Sequence, residues 1–247
     1  MTIPTPEPAP ARHLIAVHGN FASAAWWDDL QAAPPDGWTV HAPNLPGFAG
    51  TPQDGEVSVP RYAAWLNHYI EERGLTRPVL LGHSLGGAVV MEAARQSPGT
   101  CAGLVLAASA PPGGLITPEE NYPVLDLLPG HAALLELSLA ALFPSGRPAN
   151  FGQLLHDAAR MAAPLYTGNA RALAAWSVDP ALLRGLPVLV LGGELDALIT
   201  PQMVRAHGDA LGVPARILPG VGHGFPQEAP ERLLEELRHF LPRTLHA

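Results

Sequence analysis

Three residues stand where chemistry could be done. Ser84 lies in "VLLGHSLGG" (79–87), Asp196 in "VLVLGGELD" (188–196) and His223 in "LPGVGHGF" (218–225). A serine hydroxyl is a weak nucleophile until a base takes its proton, and histidine titrates close enough to neutrality to do so. The base in turn needs a carboxylate to fix its tautomer and stabilise its charged form. Ser84, His223 and Asp196 are therefore read as nucleophile, base and orienting acid. Glu194 competes with Asp196 but falls two residues earlier, closer to the strand proper. Of the 11 histidines, His83 is a poor base, because neighbours on a bend point apart. His131, His156 and His207 fall on predicted helices and read as structural or solvated.

Attack on a carbonyl creates a negative oxygen that wants two preorganised N–H donors. The backbone of Leu85, just after the serine and at the start of a predicted helix, supplies one. The loop "VHGNFASAAWW" (17–27) supplies the other through Asn20 or, as the runner-up, Phe21. His18 reads as a support for that loop. Apolar side chains that could line a pocket are Phe21, Trp26, Phe143, Phe151, Met161, Tyr166, Trp176 and Phe225. No arginine is placed to anchor a phosphate, with Arg147, Arg160 and Arg171 left as possible exceptions.

These residues need a scaffold that gathers strand ends. Six apolar runs are predicted as strands: 13–19, 38–47, 78–84, 102–109, 187–196 and 215–223. Helical patterns follow at 61–74, 85–97, 201–212 and 230–241. Unalternated apolar runs between helices indicate strands buried on both faces of a parallel sheet. Gly82 and Gly86 are read as permitting the sharp bend at Ser84. The rhythm breaks between residues 111 and 186, where 130–143, 150–162 and 169–177 look helical. That segment is expected to cap the carboxyl edge of the sheet, where open α/β sheets bind ligands. The expected organisation is a core of 1–110 and 187–247, with residues 1–11 a loose tail, and a cap of 111–186.

Composition limits the partners. The 247 residues are 47% hydrophobic, enough for a sizeable core. Net charge is −8, and all 14 basic residues are arginines without a basic stripe, so nucleic acid and anionic membranes are not expected partners. Cys101 stands alone in an apolar run, which points to a reducing compartment. The proline-rich start has no apolar signal segment, and no run is long enough to span a membrane. A soluble, cytoplasmic protein is expected.

With "VHGN", "PNLPGFAGT", "GHSLGG", "GGELDALITP" and "GVGHGFPQEAPE" in hand, the chain resembles the serine α/β-hydrolase superfamily over nearly its whole length, and within it the small capped carboxylesterases. The chain order Ser84, Asp196, His223 matches that family. The resemblance implies the triad, no cofactor, no metal, and a helical cap shaping the pocket. It departs in one respect: there is no room before His13 for two leading strands, so an α/β-hydrolase fold with about six parallel strands is expected. A serine nucleophile also separates it from the haloalkane dehalogenase and epoxide hydrolase branches. The implied activity is hydrolysis of small to medium uncharged esters through an acyl-enzyme. Alternatives on the same triad are a thioesterase, a lactonase, a carbon–carbon bond hydrolase or a menaquinone-pathway synthase-like elimination. A non-catalytic ligand receptor on this fold is the remaining alternative. The expected partner is a small-molecule ester or related acyl substrate; oligomeric state is left open.

Overall fold

A computed structural model describes residues 12–53 and 55–245; the expected loose tail at 1–11 lies outside the described residues. All six predicted runs are strands, paired in parallel in the order β2-β1-β3-β4-β5-β6. Along the chain come β1 (Arg12–Val17), α1 (Asp28–Ala32), β2 (Trp38–His41), α2 (Val59–Glu72), β3 (Val79–His83) and α3 (Leu85–Gln96). There follow β4 (Gly103–Ala107), α4 (Tyr122–Leu127), α5 (Ala132–Ala140), α6 (Phe151–Ala159) and α7 (Ala163–Ala175). The chain closes with β5 (Val188–Gly193), α8 (Pro201–Leu211), β6 (Ala215–Leu218), the one-turn α9 (Phe225–Glu228) and α10 (Pro230–Phe240).

The unalternated strands have the expected cause. Successive side chains of a strand face opposite sides, and here both sides are covered. Ile15 and Val17 of β1 pack with Leu80, Leu104 and the helices α2 and α3. Leu14 and Ala16 pack with Leu81, Val105, Trp27 and the Leu233/Leu237 stripe of α10. Each face thus buries its own apolar set, the arrangement that makes a parallel sheet stable.

Some boundaries differ from the sequence expectation. β2 stops at His41, not 47; Pro43 and Pro46 cannot donate to a strand ladder. α7 begins at Ala163, six residues before the expected start at 169, because Pro164 occupies its first turn, where a missing N–H costs nothing. The short helices α1, α4 and α9 carry too few turns for a periodic pattern to be seen.

Register sets the site. Val17 is level with Gly82, and His83 with Ala107. The carboxyl ends of β1, β3 and β4 therefore finish side by side. Chain order reverses between β1 and β3, the switch point at which open α/β sheets bind ligands.

Candidate active site

Ser84 follows β3 directly. Its backbone has φ 54 and ψ −116, a conformation that costs a non-glycine residue energy. The turn is held on both sides: Ser84 N–H donates to Ala107 O (3.1 Å), and Ser84 O accepts from Gly87 and Ala110. The expectation that Gly82 and Gly86 make the bend is corrected here, since neither has positive φ and Ser84 itself carries the strain. The glycines serve close approach. A Cβ on Gly82 would strike the Gly86 backbone, and one on Gly86 would strike the carbonyls of Val17 and His18. Gly19 does the same beside the serine, where an added Cβ would lie 2.9 Å from Ser84 Cβ.

Ser84 caps α3 without a side-chain capping bond, so its hydroxyl is not consumed by the helix. Among the described residues it has no hydrogen-bond partner.

Asp196 and His223 are brought together from the loops after β5 and β6. His223 Nδ1 lies 2.8 Å from Asp196 Oδ2, and both side chains are buried. Asp196 Oδ1 accepts from the N–H groups of Leu198 (2.8 Å) and Ile199 (2.9 Å), which hold the carboxylate still. Glu194 is turned away, accepting from Gly220 N–H at 2.8 Å.

His83 connects the two halves. Its Nε2 lies 2.9 Å from the His223 carbonyl and donates to it, and its ring centroid lies 4.8 Å from that of His223. Burial, and next the neighbouring His223, keeps His83 well below the ordinary imidazole range, so it stays neutral. It links loops and is no proton carrier. His18 is also neutral, pushed down to about 4 chiefly by burial. Its Nε2 accepts from Leu45 N–H (3.1 Å), which leaves Nδ1 as the donor to Gly19 O (2.9 Å). It supports the loop, as expected.

In that loop Phe21 has φ 57, and its N–H donates to the Asn20 side chain at 3.1 Å. The backbone N–H groups of Asn20 and Leu85 make no hydrogen bond among the described residues.

The apolar residues fall into groups. Trp26 stacks on His83 (centroids 4.9 Å) and touches Phe143 (5.5 Å), which touches Phe151 (6.0 Å). Phe21 meets Tyr166 at 5.6 Å. Met161 and Phe225 are buried on opposite faces of the core. Trp176 stands apart, donating from Nε1 to Glu92 Oε2 (3.2 Å), two turns along α3 from the serine. Arg147 pairs with Glu136 at 2.7 Å, and Arg171 lies over the Tyr122 ring.

Several polar groups that hold these loops had no sequence signal beyond being polar in apolar surroundings. Glu228 Oε1 accepts from Gly222 N–H (2.8 Å), and its Oε2 accepts from Ser145 N–H (3.0 Å) and the Ser145 hydroxyl. Gly224 N–H donates to Leu142 O (2.7 Å). Ser23 donates to buried Asp157 (2.7 Å), and Asn169 donates to Asn20 (2.8 Å). All these partners except Glu228 and the loop residues lie in the 111–186 segment.

The chain is similar to known proteins. A pimeloyl-[acyl-carrier protein] methyl ester esterase of Aromatoleum aromaticum is 31% identical over 232 residues, covering 91% of this chain and 85% of its own. The solved structure of a putative aryl esterase from Burkholderia cenocepacia superposes with TM-score 0.81 at 24% identity, covering 96% of this chain and 92% of that one. An N-acyl homoserine lactonase solved with N-butanoyl homoserine gives TM-score 0.80 at 20% identity, covering 95% and 90%. A family model described as "Alpha/beta hydrolase family" matches residues 14–236, nearly the whole described chain, and the protein belongs to that family.

Proposed function

We propose that this chain is a cofactor-independent serine hydrolase that cleaves small to medium uncharged carboxylic esters, with residues 111–186 as the cap over its site. The observation that carries this reading is a strained Ser84 after β3, in the same parallel sheet whose β5 and β6 loops bring together a buried Asp196–His223 pair. His223 Nδ1–H donates to Asp196, which leaves the Nε2 lone pair to accept the Ser84 proton as Oγ attacks the ester carbonyl. The anionic oxygen is received by the N–H groups of Leu85, at the positive end of α3, and Asn20. His223 then protonates the departing alcohol. Water, activated by the same histidine, releases the acid and restores Ser84.

The alcohol-side and acyl-side walls are read as Phe21, Trp26, Phe143, Phe151 and Tyr166. Trp176 is left out because its indole is engaged by Glu92. The Aromatoleum relative is named for a carrier-protein-bound ester. Here a free small ester is favoured, since residues 111–186 hold six acidic residues against four arginines. Arg147 and Arg171 among those four are already engaged. Burial pushes the Cys101 thiol up to about 11 and keeps it unreactive.

The test is a panel of p-nitrophenyl esters of graded acyl length, alongside thioesters and lactones. Turnover is expected to be highest for short and medium esters and to vanish in Ser84→Ala. A variant that keeps the wild-type rate would defeat the assignment.

A further inference from the structure

Asn169 lies on α7 and has no solvent exposure. Its Nδ2 donates to Asn20 Oδ1 at 2.8 Å, and its Oδ1 accepts from the Tyr62 hydroxyl of α2 at 2.9 Å. Asn20 Oδ1 also accepts from Phe21 N–H at 3.1 Å. The network fixes the direction of the Asn169 amide. The Asn20 atom that takes the Phe21 N–H must be an oxygen, so Asn169 must present its nitrogen there and its oxygen to Tyr62. Burial holds the Tyr62 phenol far above its ordinary range, so it remains a donor.

Two consequences follow for the loop after β1. Phe21 N–H is consumed within the loop, whereas Asn20 N–H makes no hydrogen bond among the described residues. Phe21, at φ 57, is held in a conformation a bulky side chain resists. We infer that Asn169 is a positioning residue: through Asn20 it aims the oxyanion-binding N–H from the cap side, with Tyr62 locking its amide. This rests on the acyl-transfer reading above. The cap then completes the catalytic geometry as well as enclosing the substrate, because the Asn169 amide accepts from the phenol and donates to Asn20 at once.

The test compares wild type with Asn169→Asp, Asn169→Ala and Tyr62→Phe. Each is measured for kcat and KM on a short p-nitrophenyl ester and for inhibition by phenylboronic acid, whose tetrahedral adduct needs the same N–H groups. Asn169→Asp is close to isosteric and cannot donate to Asn20 while its carboxyl is ionised, so it is assayed at alkaline pH. It should lower kcat by roughly 10- to 100-fold, leave KM within about threefold, and weaken boronate inhibition by a similar factor. Tyr62→Phe removes one hydroxyl and should lower kcat about two- to fivefold; it reads the relay even if the Asn169 variants do not fold. An active wild type whose variants keep kcat, or lose it with boronate inhibition unchanged, overturns the inference alone. A wild type neither active on esters nor labelled by a fluorophosphonate overturns the acyl-transfer reading and this inference together.

Discussion

At the scale of single residues, Ser84, the proposed nucleophile, holds a strained backbone conformation. Ser84→Gly should therefore raise thermal stability, by about 1 kcal/mol, while abolishing turnover. A melting temperature that falls would mean the φ 54 turn is not strained. The carboxylates separate in the same way. Asp196→Asn should cut kcat by on the order of 10³-fold or more, since the histidine would lose its tautomer and its counter-charge. Glu194→Gln should change kcat little, because the Glu194 carboxylate accepts from Gly220 N–H, away from His223. Equal losses in both would reopen the choice of acid. That Ser84, Asp196 and His223 follow β3, β5 and β6 was legible in the sequence because each comes after an unbroken apolar run. Asn169 was not, because its partners Tyr62 and Asn20 lie 107 and 149 residues away in the chain.

At the scale of elements, the segment between β4 and β5 grips both working loops. It holds the β1 loop through Asn169 and Asp157, and the His223 loop through Ser145 and Leu142. Glu228 is the clasp on the second side. Glu228→Ala strands the Gly222 and Ser145 donors and should cost about 1–2 kcal/mol in urea unfolding. It should also lower kcat, because the loop bearing His223 is loosened. Unfolding and kcat both unchanged would show the clasp to be idle. The strands were readable from unbroken apolar runs, since both faces of the sheet are covered. The start of α7 was hidden because proline is a breaker inside a helix yet fits its first turn, and only the structure says which applies to Pro164. The short α9 was hidden by its length, although it carries Glu228.

At the scale of the whole molecule, three buried histidines tie stability to pH. Burial pushes His18 and His207 down to about 4 and takes His83 well below its ordinary value. Such a base stays neutral in the folded chain but takes a proton on unfolding once the pH drops below about 6.5. Stability is thus full above pH 6.5 and is lost as pH falls toward 4. The slope is up to about 1.4 kcal/mol per pH unit for each histidine. Urea midpoints measured from pH 7.5 to 4.5 should fall steeply below 6.5, and less steeply in His207→Leu, which lies on α8 away from the serine. A flat profile would contradict the burial of neutral imidazoles. In the proposed function, the fold as a whole serves to present the Ser84 hydroxyl at the edge of a buried sheet. Intact-protein and peptide mass spectrometry after fluorophosphonate treatment reads that directly. A single adduct on the peptide containing Ser84, absent from Ser84→Ala and strongly slowed in His223→Ala, is the predicted result. An adduct on another residue, or ester hydrolysis by a wild type that takes no label, would contradict it.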